Sequence, residues 1–242
     1  MKRYNIAITG YGNLGRTLFN NLSGHHDITV IRSPSQYKRI RSADILFICV
    51  PDAKIASVHR ALKKIRNVPA FHFSGCLTSD ILKAGRGVPL GSIHFPLSFN
   101  VKNRMLDLRE RFIVFEGNDP GFELASSVFK PFKPKMRRMD RKKKPLYHLA
   151  CSLSANLPFY YLALSRKHFT ELGLPERISE DLFTSALDNF RILGKNGLTG
   201  PVIRGDAAVL KKHIDAIEDK GEKRMYRNAV RFFTELLFKK RA

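Results

Sequence analysis

Cysteine is scarce in this chain: Cys49, Cys76 and Cys151 stand alone, and no two are spaced for a metal ion or a redox pair. A disulfide framework and a zinc site are therefore not expected, and no metal is assigned. Long apolar runs are missing as well. The longest, Ile45 to Val50 in DILFICVPD, is far too short to span a bilayer and reads as a buried strand. Met1-Lys2-Arg3-Tyr4 runs straight into Ile6-Ala7-Ile8 without the apolar segment or cleavage site of a secretory signal. Together these lacks predict a cytoplasmic protein with no membrane partner.

Negative charge is also in short supply, with 21 Asp and Glu against 43 Lys and Arg, a net charge of +22. Such a surplus can mark a nucleic-acid partner. Yet the cations gather in KPFKPKMRRMDRKKKP (130–145) and in the closing FKKRA, and they do not interleave with aromatics as a single-strand stacking platform does. No zinc-finger, basic-zipper or helix-turn-helix pattern is present. The expected reading is a solvated lysine-rich surface, and nucleic acid is not the expected partner.

What the sequence does have is alternation. Strands are predicted at Tyr4–Thr9, Ile28–Arg32, Ile45–Val50, 69–73, 89–95 and 111–117, with an edge strand at 135–140. Helices fall between them at Asn13–Leu22, from Asp52 to about Ile65, near 78–84 and at 119–129, with a polar turn or short helix at 34–41. That order implies βαβ units and a doubly wound, mainly parallel sheet of the Rossmann type. From Pro145 onward the apolar residues recur at helical spacing, over 145–172, 178–194, 206–219 and 222–240. Pro145 suits a first helical turn, Asp206 an N-cap, and Gly173 and Gly221 C-terminal stops. The expected organisation is a dinucleotide-binding domain over 1–143 and an all-helical domain over 144–242. The second is expected to dimerise, because so few residues cannot cover all its apolar faces.

ITGYGNLG sets Gly10, Gly12 and Gly15 in a complete G-x-G-x-x-G after a strand and at the start of a helix. Gly10 makes the tight turn, Gly12 admits the pyrophosphate and Gly15 lets helix pack on strand, while the helix N-terminus offers free N–H groups. Tyr11, Asn13 and Leu14 complete the loop. An NAD site would place an acid at the end of the second strand. Asp27 lies at the wrong end, and Arg32 and Ser33 occupy that place, which suits a 2′-phosphate, with Lys38 or Arg39 nearby. The cofactor is therefore expected to be NADP(H).

AITGYGNLG, ILFICVPDAKI, FHFSG, YHLACSLSAN and LTGPVIRGD occur in the order found in a Rossmann-like family of NADP oxidoreductases. Its members carry a C-terminal helical domain of unknown function, the DUF2520 type. The family is similar to pyrroline-5-carboxylate reductases and to the 6-phosphogluconate-dehydrogenase-like group, and the resemblance covers nearly the whole chain. It implies that Val50-Pro51-Asp52 and Ser74-Gly75 border the nicotinamide half of the cofactor. Both turns also fall at carboxyl ends of parallel strands, where open α/β sheets bind ligands. Two departures stand out. The segment from Arg32 to Asp44 is short, and the family's His-Pro turn is here His94-Phe95-Pro96.

Delivery of a hydride to C=O or C=N requires a proton for the heteroatom. His148, Ser152 and Asn156, spaced i, i+4, i+8, form one polar stripe on the first helix of the second domain. The related dehydrogenases present a Lys and an Asn at such a spacing, where this chain has Ser152 and Asn156. Asn156 alternatively caps a helix beginning near Pro158. Arg204, ahead of the helix capped by Asp206, can bind a substrate carboxylate or phosphate, or pair with Asp206. His94 is a second substrate-side candidate, whereas His25, His26, His59, His168 and His213 read as surface residues. The resulting expectation is an NADP(H)-dependent reductase of a small C=O or C=N substrate. Its rival is a sensor or regulatory protein that binds NADP(H) without turnover.

Overall fold

The computed structural model describes residues 2–65, 67–83, 85–99 and 106–238. The chain divides into two compact units, one ending at Pro158 and the other beginning at Phe159. The first is built on a seven-stranded sheet of order β2-β1-β3-β4-β5-β6-β7. Its strands are β1 (Asn5–Thr9), β2 (Asp27–Ile31), β3 (Ile45–Ile48), β4 (Ala70–His72), β5 (Leu90–His94), β6 (Phe112–Gly117) and β7 (Lys135–Arg138). Every neighbouring pair is parallel except β5 with β6. The order reverses between β1 and β3, the switch point at whose carboxyl side such sheets bind ligands.

Both faces of the sheet are covered, which is why β3 can read as an unbroken apolar run with all four residues buried. On one face Ile8, Phe47, Phe71 and Phe115 pack with Leu18 and Leu22 of α1 (Asn13–Leu22) and with Val128 and Phe129 of α3 (Asp119–Phe129). On the other, Ala7, Leu46 and Ile48 meet Ile55 and Leu62 of α2 (Asp52–Lys63). The α3 boundaries follow from local chemistry. Asn118 accepts a hydrogen bond from Gly121 N–H at 2.8 Å, and Pro120 sits in the first turn.

The remaining helices are α4 (Lys144–Ala155), α5 (Leu157–Glu171), α6 (Ile178–Leu193), α7 (Pro201–Arg204), α8 (Ala207–Ala216) and α9 (Lys220–Phe238). The stretch 145–172, read as helical spacing with a break before Pro158 left open, is two helices. Pro158 lacks the N–H that would bond the carbonyl of Ser154, so the helix breaks at Asn156, which closes α4 through its own N–H to Ser152 O at 2.9 Å. Asp206 caps α8 by accepting from Val209 N–H, and Gly173, at φ 69°, ends the turn after α5. Gly221 does not stop a helix but lies inside α9. The helix expected near 78–84 is a short 3₁₀ turn at Ser79–Ile81, and Ala84 lies outside the described residues. The basic tail beyond Phe238 lies outside them too. No helix of the described residues is long and apolar enough to cross a membrane.

Candidate active site

The glycine loop joins β1 to α1. Gly10 holds φ +94°, and a side chain there would drive into the Cys49 carbonyl; one at Gly15 would strike the Gly10 carbonyl. A Cβ at Gly12, by contrast, would meet nothing within 4 Å. The start of α1 carries no side-chain cap and no acid in its first turn, so its orphan N–H groups face outward from an uncontested positive dipole end. Thr9 Oγ1, buried at the end of β1, has no hydrogen-bond partner among the described residues. An open glycine, free N–H donors and an orphaned hydroxyl are the features a dinucleotide pyrophosphate would satisfy, so the residues present fit that group.

At the end of β2 the Arg32 guanidinium lies 4.6 Å from the Tyr11 ring centroid, and Arg16 approaches the same ring at 5.9 Å. Ser33 and Ser35 share a hydrogen bond at 2.7 Å beside them. Arg39 instead donates to Val30 O at 3.3 Å, and Asp27, paired with Arg3, stays at the far end of the strand.

Further along the sheet, the carboxyl ends of β3, β4 and β5 build a second cluster. Ser74, just after β4, donates through Oγ to Asp52 Oδ2 at 2.7 Å, the acid that follows Val50-Pro51 in the turn into α2. Gly75 is enclosed: an added Cβ would lie 2.6 Å from His148 Cδ2 and 2.9 Å from His94 Nε2. His94 shares a proton with Tyr147 across 2.6 Å between Nδ1 and the phenol oxygen, and the His94 and His148 rings stand 6.3 Å apart. Burial, then the positive charge of Lys144 and of His148, pushes His94 down to about 4, with Asp52 opposing. Its imidazole is neutral at physiological pH. Burial and the bond to Cys151 hold the Tyr147 phenol well above its ordinary range, hence protonated.

One layer deeper runs a polar row. His72, Ser92 and Glu116 are register partners across β4, β5 and β6, all fully buried. Lys144, the first residue of α4, plugs this row from above, its ammonium donating to Ser92 Oγ at 2.5 Å and to Ser74 O at 3.1 Å. Burial lowers Lys144 to about 8 against the pull of Glu116, Cys76 and Asp52. His72, under burial and the Lys144 charge, falls to about 3.

The structure thus brings His94, His148, Ser74, Gly75 and Asp52 together. Phe95 does not disturb His94, because alternate strand residues face opposite ways and Phe95 enters the core at 2 % exposure. Ser152 and Asn156 lie farther along α4, Ser152 Oγ donating to Asn156 Oδ1 at 3.1 Å, and Asn156 is the C-cap of α4 rather than an N-cap. Arg204 is exposed at the end of α7 in the second unit, while Asp206 is engaged with Val209. His26 and His59, read as surface residues, are buried at 1 % and 3 % exposure. His26 Nε2 lies 3.0 Å from Val128 O, a contact across the fold that a local reading misses. Sequence reasoning also missed Lys144, Tyr147, Ser92 and Glu116. Two signals were available: Lys144 stands four residues before His148, and Ser92 two before His94.

The fold has known counterparts. BF3122 of Bacteroides fragilis, described as a candidate NADP oxidoreductase, superposes with a TM-score of 0.77 at 18% identity, over 96% of this chain and 98% of that one. Protein TM1727 of Thermotoga maritima gives 0.73 at 25% identity, over 96% and 97%. The Plasmodium falciparum pyrroline carboxylate reductase with NADP bound gives 0.61 at 12% identity, over 98% and 97%. No curated protein matches the sequence. These likenesses establish the Rossmann-like architecture of the sheet unit and its helical continuation. The family model described as "Domain of unknown function (DUF2520)" matches residues 111–232, from β6 through the helices into α9, and the chain belongs to that family.

Proposed function

We propose that this chain is an NADP(H)-dependent oxidoreductase that reduces a small C=O or C=N compound, and that the cluster over Gly75 handles the proton. One observation carries the reading. An uncapped, acid-free helix N-terminus on a glycine loop shares the carboxyl side of one sheet with the proton-sharing pair His94–Tyr147. The NADP oxidoreductase candidate and the NADP-bound reductase among the similar folds support the cofactor.

In this reading Gly10 to Gly15 hold the pyrophosphate, Arg32 and Ser33 the 2′-phosphate, and Val50-Pro51-Asp52 with Ser74-Gly75 the nicotinamide half. When bound, the reduced nicotinamide supplies a hydride. The chain's own residues do the rest. Asp52 fixes the Ser74 hydroxyl and with it the turn at Gly75. With the Tyr147 hydroxyl donating to His94 Nδ1, the remaining ring proton sits on Nε2, the atom against Gly75, where a substrate heteroatom would take it. His148 closes the other side of Gly75 and keeps the substrate over the turn.

The test is NADPH oxidation across a panel of aldehydes, ketones and imines. Turnover is expected, and His94→Gln should lower kcat by roughly 10²- to 10⁴-fold while NADPH binding persists. Tight NADPH binding without turnover on any substrate would replace this reading with the sensor.

A homodimer completes the proposal. In the second unit the buried described residues are Ser179 and Gly197, and no apolar side chain there is fully buried. A unit without a core of its own needs a constant cover, and a second copy of the chain is the partner always present. Light scattering at micromolar concentration should give twice the 27.6 kDa of one chain; a monomer at that concentration would refute it.

A further inference from the structure

Lys144 is 3 % exposed, and among the described residues no carboxylate lies within ion-pair distance of it. Both of its acceptors, Ser74 O and Ser92 Oγ, are neutral. Ser92 also donates to Ser74 O at 2.9 Å, so the three groups close on one another. Glu116, opposite Ser92 in the β5–β6 register, accepts from Ser79 with both oxygens, from N–H at 2.6 Å and Oγ at 2.9 Å. Asp52, from α2, is exposed and accepts from the Ser74 hydroxyl. The other titratable groups around the ammonium are His72 on β4, His94 on β5, Cys76 in the loop after Gly75, and Tyr147 and His148 on α4. Ser92 and His94 are alternate residues of one strand and face the same way, about 7 Å apart. A positive charge without a direct counter-ion is thereby lodged one step behind the His94–Tyr147 pair.

We infer that this placement selects the electrophile: the site is built for a neutral carbonyl compound, whose oxygen gains negative charge during reduction, and against a cationic iminium. The inference rests on the reductase reading and narrows it. As a carbonyl is reduced, its carbon gains the hydride and the C=O π pair moves onto oxygen. That oxygen takes one proton from the His94–Tyr147 pair, later restored from water, to give an alcohol and the oxidised dinucleotide. A fixed cation, itself buried, stabilises the oxygen as charge develops. An iminium would bring a second positive charge to that pocket before reaction and lose it only afterwards, so its binding is opposed from the start. The neutrality of His94 shows the same intolerance of an added cation: after burial, Lys144 is the largest influence against its protonation.

The experiment compares kcat/KM with NADPH for ketones and aldehydes against ring-matched N-methyl iminium salts, which are cationic at every pH. Wild type should favour the carbonyl by about tenfold or more. Lys144→Met should cut the carbonyl rate by roughly 10²-fold and the iminium rate much less, so that the ratio collapses. Lys144→Arg, which keeps the charge, should retain the preference. Nicotinamide fluorescence on each variant reports folding and cofactor binding, and the wild-type comparison stands even if no variant folds. A wild-type preference for the iminium, or an equal fall for both classes in Lys144→Met, overturns the inference and leaves the reductase standing. NADPH binding with neither class reduced overturns the reductase reading, and this inference with it.

Discussion

In the sheet unit the largest side chains vanish from solvent: Phe47, Phe71 and Phe129 have no exposed surface, while in the helical unit Ile192 stands 79 %, Leu172 71 % and Tyr160 69 % exposed. Among the described residues, every exposed large apolar side chain except Phe112 lies on α4 or beyond it. The same apolar residue types do opposite things in the two regions. In the first, alternating strand faces and two layers of helices close a core within one chain. In the second, helices with apolar faces close nothing by themselves. The sheet unit is therefore a finished scaffold on which precise polar geometry can be held, whereas the described helical unit leaves its apolar faces uncovered.

The largest effect should come from breaking the finished side. Phe47→Ala, at the meeting of Phe71, Phe73 and Phe129, should cost about 3–5 kcal/mol in denaturant unfolding, independent of protein concentration. The matched change in the other region is Ile192→Ala. Surface substitutions usually stay within about 0.5 kcal/mol. A second copy over Ile192 should raise that cost to between about 1 and 3 kcal/mol and make it depend on concentration.

Gly75→Ala comes next. The new methyl must displace His148 or His94, both side chains with alternatives, so folding should survive while turnover falls by about 10²-fold. Retained activity would mean that the enclosure of Gly75 has no bearing on chemistry.

Acid should separate the regions more gently. His26, His59, His72 and His94, all in the sheet unit, have their affinity for protons lowered first by burial. Each binds a proton more readily unfolded, so the stability they contribute is complete above about pH 6.5 and is lost as pH falls through the folded values, near 3 for His72 and 4 for His94. His168 in the helical unit is raised by its bond to Glu222, and its contribution has the opposite sign, present at low pH and lost as pH rises. Unfolding followed between pH 7 and 4 should show the sheet unit failing first, and His72→Asn should flatten its slope.

Much of the first unit was legible in local patterns. α1 and α3 begin where Gly12 and Asn118 place them, and the apolar run of β3 announces a strand covered on both sides. His94, from a strand end, and His148, from a helical stripe, were legible only as separate candidates; that both border Gly75 emerges from the fold. Lys144 was hidden for a physical reason. It is the last cation of a run whose other members, from Lys130 to Lys143, are exposed, and no local signal distinguishes the one that is buried. Its acceptors come from two strands, and the polar row beneath it exists only once β4, β5 and β6 have found their register. Asn156 left two readings open, a stripe member or a cap, and the structure makes it the C-cap of α4. Its spacing from Ser152 is helical and the two side chains do meet, but Pro158 decides that the helix ends there.

Whether the sheet unit holds NADP(H) is decided by titrating the purified protein with NADPH and NADH in parallel and following nicotinamide fluorescence. Saturable NADPH binding at least about tenfold tighter than NADH is expected, with the difference abolished by Arg32→Ala. Equal affinities would contradict the 2′-phosphate site at Arg32 and Ser33, and binding of neither would contradict NADP(H) binding by the sheet unit.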